Sequence, residues 1–581
     1  MRKIFKHYYR FIFRYKWRFL VFALAMICFA VAESVQPYFY KLFIDAITKG
    51  NEQLLFKVLV TYVSVRIAEL LLHNLSFFLS DRVIVPAAAD ARMAVFKKIQ
   101  DLDFAYHLKK STGSLISAIK RGDNAFFDTN YVVNIQFLRT AVGFAVILFF
   151  FSKINWQIGL LMIASFAANL LAAKFLIKQN ISARKEANDA EDKISEIIVD
   201  NLINFETVKL FARENWEQKR LKESFKIWSE KLSKYFLSFK IIDFVVGIIG
   251  NLGLFLILLV CLSRVSGFKI SPAEYLMVVG FISSFYPRFF EMVYDLRNLI
   301  KHQTDMVKYF SVFDEEVQVK DPIVPMNRKS VAGDIEFKNV TFYYPETKNP
   351  AVKNLNLKIR AGQSWAFVGH SGVGKTTVVK LLMRFYDPQK GKILLDGIDI
   401  KNLTKSRLRS FIGIVPQEPI LFNDTVGYNI AYGIGKATKQ EIVAAAKLAN
   451  LHDFIETLPK KYETVVGERG LKLSGGQKQR MAIARMILSD PEIIIFDEAT
   501  SQLDSDSEKK IQEAFWKAAK NKTTLIIAHR LSTIINAEKI AVMKKGQVIE
   551  IGSHRELSAK KGSLYRHFWR LQTKNSPSTK A

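Results

Sequence analysis

The 581-residue chain contains only two cysteines, Cys28 and Cys261. Both fall inside long apolar stretches, so neither a disulfide framework nor a Cys-based metal site is supported. A cleavable secretion signal is not expected either. The basic leader runs into an apolar stretch too long for one, and no small-residue cleavage site follows. Acidic residues are missing from that leader, Arg2 to Arg18, which holds seven basic side chains. The net charge of +30 comes without an interleaved base-stacking module. That excludes nucleic acid as the expected partner and turns the charge toward anionic lipid, the more so because the segment after Glu556 is also basic.

Half of the residues are apolar, and they crowd into the first 300 positions. Runs of roughly 20 residues suffice to cross a hydrocarbon core about 30 Å thick. Six spans are predicted: Phe19 to Phe43, Leu54 to Leu79, Val132 to Phe151, Trp156 to Ile177, Ile241 to Leu262 and Glu274 to Leu296. The connections after the first, third and fifth are short. Those after the second and fourth, Ser80 to Tyr131 and Lys178 to Lys240, are long, charged and helical in periodicity. Lys and Arg gather in the leader and in these long connections, which places both termini and the second half of the chain in the cytoplasm. Met1 to Trp17 alternates basic and aromatic residues as a helix lying among lipid headgroups would. The leader is too short to hold an organelle-targeting segment as well, so a prokaryotic cytoplasmic membrane is expected. Polar residues within the spans, Glu33, Glu69, His73, Arg139, Asn169, Asp243, Asn251 and Glu291, are candidates for interhelical pairing or for function. Pro37 and Pro287 would permit kinks.

The second half carries nucleotide chemistry. Gly369-His370-Ser371-Gly372-Val373-Gly374-Lys375-Thr376, with Thr377 next, follows the apolar run Ser364 to Val368 and precedes a helical pattern. Strand, glycine-rich loop and helix form a phosphate cradle: backbone N–H groups and the helix N-terminus meet phosphate oxygens, Lys375 reaches the β- and γ-phosphates, and the Thr376 hydroxyl can ligate Mg²⁺. Further on, Ile493-Ile494-Ile495-Phe496 runs into Asp497-Glu498, the pattern of a strand buried on both faces with acids at its carboxyl end. Asp497 then suits the metal side and Glu498 the general base for water.

These residues occur in a longer ordered series, and with it the chain resembles an ATP-binding-cassette transporter of the exporter type. The series runs from Tyr344 through the phosphate loop, Gln417 in Val-Pro-Gln-Glu, and Val466 to Gly470. It continues with the signature turn Ser474, Gly475, Gly476 and Gln477, then Asp497 and Glu498, the turn ending at Asp504, and His529. The resemblance covers roughly Asp334 to Leu571 and implies a role for each residue. Tyr344 would stack on adenine, with Tyr343 the alternative should the register differ by one. Gln417 would complete a Mg²⁺ shell with Thr376 and Asp497, and His529 would hold the attacking water. Ser474 and Gly476 would contact ATP held by another chain, beside Asp504. Gln502 departs from the Ala common in the family.

The expected fold class is a six-helix all-α transmembrane domain followed by an α/β P-loop NTPase domain. The expected organisation is an elbow helix at residues 1–18, the membrane domain at 19–313, a linker at 314–333, the nucleotide-binding domain at 334–575 and a polar tail at 576–581. One nucleotide domain beside six spans makes half a transporter, so a homodimer is expected, with a heterodimer open. The resemblance implies ATP-driven export of a hydrophobic, amphipathic or lipid-linked solute. A thiol conjugate is a weaker option, and an ATP-gated regulator or an importer is the alternative. Leu102 to Ile119 and Asn204 to Glu214 match the segments that couple the two domains.

Overall fold

In a computed structural model of the chain, residues 2–110, 112–266, 270–345, 347–467, 471–497, 505–527 and 534–574 are described. They divide into two units, Met1–Leu102 with Lys110–Glu316, and Asp103–Lys109 with Val317–Ala581.

The first unit is helical, and its helices start where the sequence supplies caps. The Asn51 side chain accepts from Leu54 N at 2.9 Å to open Glu52–Asp101, and Asn155 accepts from Gln157 N at 2.8 Å to open Trp156–Ile203. Ser271 and Glu274 exchange hydrogen bonds in a capping box at the head of Pro272–Phe310. Such caps satisfy N–H groups that a helix leaves unpaired at its start. The first span is broken at Val35 between Lys16–Ser34 and Gln36–Thr48, with Pro37 in the first turn of the second piece, where its missing N–H costs nothing. A third path joins Thr112–Thr129, a π-helical turn at Asn130–Phe137 and Leu138–Ile154.

Glu52–Asp101, with 50 residues, is about 75 Å long at the α-helical rise, and Glu214–Ser266, with 53, about 80 Å. Both exceed the thickness of a bilayer core, so the long charged connections predicted from sequence are continuations of the helices. Four of the helical paths are long and apolar enough by composition alone to cross a membrane: Lys3–Thr48, Ala118–Ile154, Trp156–Ile203 and Glu214–Ser263. The other two, Glu52–Asp101 and Pro272–Phe310, carry more charge: Arg66 and Glu69 in the first, Arg288, Glu291 and Asp295 in the second.

Several of those charges are paired between helices. Arg139 Nε donates to Glu33 Oε2 at 2.8 Å and its Nη2 donates to Oε1, while Arg288 Nη2 lies 3.0 Å from the same Oε1. Glu69 pairs with Arg66 at 3.0 Å and accepts from Gln36, and His73 packs between Phe29 and Phe77. Glu33 is the single acid holding two guanidinium groups together. Replacing it with Ala should lower stability by on the order of 3 kcal/mol, because removal of one partner leaves buried charge unbalanced. A thermal unfolding midpoint equal to the native one would show that these pairs carry no weight.

The leader is a helix, Arg2–Ile12, but its apolar side differs from the expectation. Tyr8, Phe11 and Ile12 are buried within the unit, and the Asn134 amide donates to Tyr8 Oη at 3.2 Å and accepts from the Tyr9 hydroxyl at 2.9 Å. Protein rather than lipid covers that face, since neighbouring helices lie close enough to bury it. Arg14 pairs with Asp90 at 2.9 Å.

The second unit is α/β. Strands β1 (Ile335–Phe342), β2 (Val352–Ile359), β4 (Lys390–Leu395) and β5 (Ile398–Asp399) form an antiparallel sheet in the order β2-β1-β4-β5. The main sheet comprises β3 (Ser364–Val368), β6 (Ile412–Val415), β9 (Ile493–Asp497), β10 (Thr523–Ile527), β11 (Lys539–Lys544) and β12 (Gln547–Gly552), ordered β12-β11-β3-β10-β9-β6. It is parallel except for β12. A short pair, β7 (Asp424–Thr425) with β8 (Val465–Val466), completes the strands. Ile493 to Phe496 are each at most 1% exposed, so β9 is covered on both faces as its apolar run implied.

The stretch expected to be a linker is tied to the second unit. The Asp396 carboxylate accepts from the N–H groups of Ala332, Gly333 and Asp334, Arg384 Nη2 donates to Lys320 O at 2.7 Å, and Arg407 donates to the carbonyls of Arg328 and Lys329.

Candidate nucleotide site

β3 ends at Val368, and the chain turns through Gly369 to Gly374 into the helix Lys375–Leu382. Gly374 adopts φ +108°, and a Cβ there would lie 2.3 Å from the Ala351 carbonyl oxygen. Only glycine satisfies both constraints. The bend brings Lys375 back over its own loop, where Nζ donates to Gly369 O at 2.7 Å and His370 O at 3.0 Å. Burial depresses the Lys375 pKa, with Asp497 acting in the opposite sense. Thr376 points outward and is exposed, whereas Thr377 is buried and bonds through Oγ1 to the Tyr344 hydroxyl at 3.1 Å.

Tyr344 is half-buried, edge-on to Phe342 and Tyr386, with Lys380 Nζ 5.9 Å from its ring centroid. Tyr343 is instead held by its backbone, which exchanges two 3.0 Å hydrogen bonds with the Gln389 amide. Of the two candidate aromatics, Tyr344 is therefore the one bonded to the helix that opens with Lys375.

The parallel sheet sets the remaining residues. β3, β10, β9 and β6 are neighbours pointing the same way, with Ile527 opposite Phe367 and Asp497, and Val415 opposite Phe496. Their carboxyl ends deliver the phosphate loop, Asp497 and Gln417 to one edge, where ligands gather in α/β sheets. Asp497 is half-buried. Burial raises its pKa, and Lys380 and Lys375 oppose the shift. Asp497, the Thr376 hydroxyl and the Gln417 amide are hard oxygen donors, which fits Mg²⁺ held by one carboxylate and by substrate phosphates. No group of three His, Cys, Asp or Glu side chains able to hold a metal by themselves occurs among the described residues. Glu498, Asp504 and His529 lie outside the described residues, immediately after β9 and β10.

Ser474, Gly475, Gly476 and Gln477 open the helix Gly475–Ser489. Ser474 is its cap, accepting from Gln477 N at 3.3 Å while its own N–H donates to Gln477 Oε1 at 2.8 Å. The capping box leaves Ser474 and Gly475 exposed at a helix N-terminus, a setting suited to an anion. Among the described residues, no hydrogen bond links this turn to the phosphate loop of the same chain.

A residue the sequence reading passed over sits two positions further along. Gln479, 4% exposed, donates from Nε2 to Gln417 O at 2.6 Å and to Pro416 O at 3.3 Å. It ties the signature helix to the loop carrying the candidate metal ligand. Its repeat of Gln477 at spacing two was the one available signal. Gln479→Ala should lower the ATPase kcat about tenfold with little change in KM, the effect of misplacing Gln417 by roughly 1.4 kcal/mol in the transition state. Turnover at the native rate would make the clamp a matter of packing alone.

The segment Phe104–Lys109 belongs to this unit. Phe104 stacks on Phe385 at 4.7 Å with 19° between the ring planes, and Lys380 Nζ lies 5.7 Å from the same ring. Asp103 accepts from the N–H groups of Gln318 and Val319. The other candidate coupling segment, Phe205–Leu210, leaves Phe205, Leu210 and Phe211 exposed.

Residues 352–501 match the ABC transporter family and residues 19–287 the ABC transporter transmembrane region. The chain is 38% identical over 494 residues to "Heavy metal tolerance factor 1" of Caenorhabditis elegans, covering 83% of this chain and 60% of that protein. It is 34% identical over 571 residues to "ATM1-type heavy metal exporter" of Novosphingobium aromaticivorans, covering 96% and 93%. A solved structure described as a bacterial Atm1-family ABC exporter with ATP bound aligns with a TM-score of 0.86 at 33% identity, over 97% of this chain and 99% of that one. The chain spans about three fifths of the length of several curated relatives, the Caenorhabditis protein among them.

Proposed function

This chain belongs to the ABC transporter family, and from that premise we propose that it is an ATP-driven exporter, half of a transporter that a second copy completes. The observation that carries the proposal is that Lys375 turns back over its own loop while a second, capped helix N-terminus stays exposed at Ser474. Lys375 and its loop sit at the carboxyl edge of the sheet, while the exposed N-terminus at Ser474 opens another helix, with no hydrogen bond to that loop among the described residues. The turn of one copy would then close on ATP held by the other, so that Ser474 and Gly476 act in trans with Asp504. Because every motif is present in this one sequence, a homodimer needs no further component. The exposed Phe205, Leu210 and Phe211 suit docking onto that second copy.

In this reading Lys375 neutralises the β- and γ-phosphates, Glu498 takes a proton from the attacking water and His529 holds that water in line. Mg²⁺, held by Thr376, Gln417 and Asp497, would supply charge neutralisation at the phosphate oxygens. ATP binding favours the closed dimer and hydrolysis releases it, which alternates access to the membrane cavity by population shift. The basic leader and the basic long connections support a cytoplasmic side for both termini. The cargo in this reading is a hydrophobic, amphipathic or lipid-linked solute. The heavy-metal function in the relatives' names keeps a metal-linked or thiol-linked solute as the alternative.

Reconstitution in liposomes tests the proposal. ATP should drive accumulation of cargo against its gradient. ATP binding that merely opens a passive flux would overturn export in favour of an ATP-gated regulator.

A further inference from the structure

Within the first unit, a groove of about 430 Å³ lies between the helices Lys16–Ser34 and Glu52–Asp101, just after the basic leader. Trp17, Val21, Phe78 and Leu79 supply its apolar lining, and Arg18 and Arg82 complete it. Arg18 directly precedes the first predicted span, and Arg82 follows the second within one helical turn. Both guanidinium groups therefore stand at one edge of the apolar zone, where headgroups begin.

Other arginines close by in the chain are neutralised within the protein: Arg14 pairs with Asp90 at 2.9 Å and Arg92 with Asp123 at 2.7 Å. Arg18 and Arg82 form no ion pair among the described residues. Arg18 Nη1 instead lies 3.5 Å from the Arg82 carbonyl oxygen, and the Arg82 guanidinium sits 4.9 Å from the centroid of the Phe78 ring, that of Arg18 5.7 Å from the Tyr15 ring. Asp81, the acid next to Arg82 in the chain, is not part of the lining. Two cations that share one groove repel each other, and an anion placed between them turns that repulsion into attraction. A guanidinium matches phosphate oxygens with paired donors, and the ring contacts already hold both groups in position. Trp17 is exposed beside them, the residue type that membrane interfaces favour.

We propose that this groove holds one anionic phospholipid, its phosphate between Arg18 and Arg82 and an acyl chain along Val21, Phe78 and Leu79. The lipid contact of the leader region then falls at its end, since Tyr8, Phe11 and Ile12 are covered by protein. The two arginines belong to different helices, so a bound phosphate bridges them. The inference is independent of the export reading, because it concerns neither nucleotide nor cargo.

The test is native mass spectrometry of the full-length protein in detergent, without nucleotide, titrated with phosphatidylglycerol or with phosphatidylcholine of the same chains. Phosphatidylglycerol should saturate a site of one lipid per chain and bind more tightly than phosphatidylcholine. Arg18→Gln and Arg82→Gln should each weaken phosphatidylglycerol binding roughly five- to tenfold and remove the preference. Arg10→Gln, which takes the same charge from the leader outside the groove, should change it less than about twofold. Glycerol 3-phosphate, the headgroup chemistry without chains, should not displace the lipid. Equal affinity for the two lipids, native affinity in both groove variants, an equal loss in Arg10→Gln, or displacement by glycerol 3-phosphate would overturn the assignment. Should one groove variant fail to elute as folded protein, the other, on the opposite helix, carries the test.

Discussion

Lys375→Ala should reduce ATP turnover by roughly 10²- to 10³-fold, the scale on which a preorganised charge at a transferring phosphoryl group contributes. Lys375 is 5% exposed and its ammonium is already directed into the loop, with two of its three donors on the carbonyls of Gly369 and His370. A polyphosphate entering the cradle needs only to replace those weak acceptors with charged ones. Little reorganisation is required, and fixed charges act most strongly under that condition. Alanine leaves the loop N–H groups and the helix N-terminus in place, so nucleotide affinity should fall less than turnover. Arginine is not a substitute here, since its planar fork is too large for a site that encloses a single ammonium. Steady-state hydrolysis together with equilibrium binding of a fluorescent ATP analogue separates the two effects. Turnover above a tenth of the native rate would remove Lys375 from the site.

Glu498→Gln should act differently. It keeps the shape and hydrogen-bonding reach of the side chain and removes only the base, so hydrolysis should fall by roughly 10²-fold or more while ATP stays bound. If the sites are shared between copies as proposed, unspent ATP should hold the closed dimer together. The variant should therefore retain radiolabelled ATP through gel filtration where the native protein releases ADP. Hydrolysis at the native rate would show that another group activates the water. Rapid loss of intact ATP would argue against shared sites even with hydrolysis abolished. Comparing the two variants is informative in itself, because Lys375→Ala should not trap nucleotide and Glu498→Gln should.

The nucleotide unit was the more legible half. Its motifs are short, each encodes a backbone conformation, and a parallel sheet brings the carboxyl ends of its strands to one edge whatever the intervening loops do. From Gly374 and Asp497 alone the position of the site follows. The membrane unit was legible in its helices and not in their pairings. Hydropathy marks a span, but it does not say that Glu33 meets Arg139 and Arg288. The leader shows the same limit: amphipathic periodicity is indifferent to whether lipid or protein covers the apolar side, and here Tyr8, Phe11 and Ile12 are covered by protein.

The sequence by itself determined what is local: the phosphate loop, the buried β9 strand with its terminal acid, and the order of motifs that marks the family. Tertiary structure alone decided which distant groups meet. Gln479 on Gln417, Arg384 on the carbonyl of Lys320, Phe104 on Phe385 and Glu33 between two arginines are all contacts across long stretches of chain. The reason is physical: a capped helix or a glycine turn is stabilised by its nearest neighbours in the chain. A buried charge or amide is stabilised by whatever folding brings to it, and no periodicity records that partner.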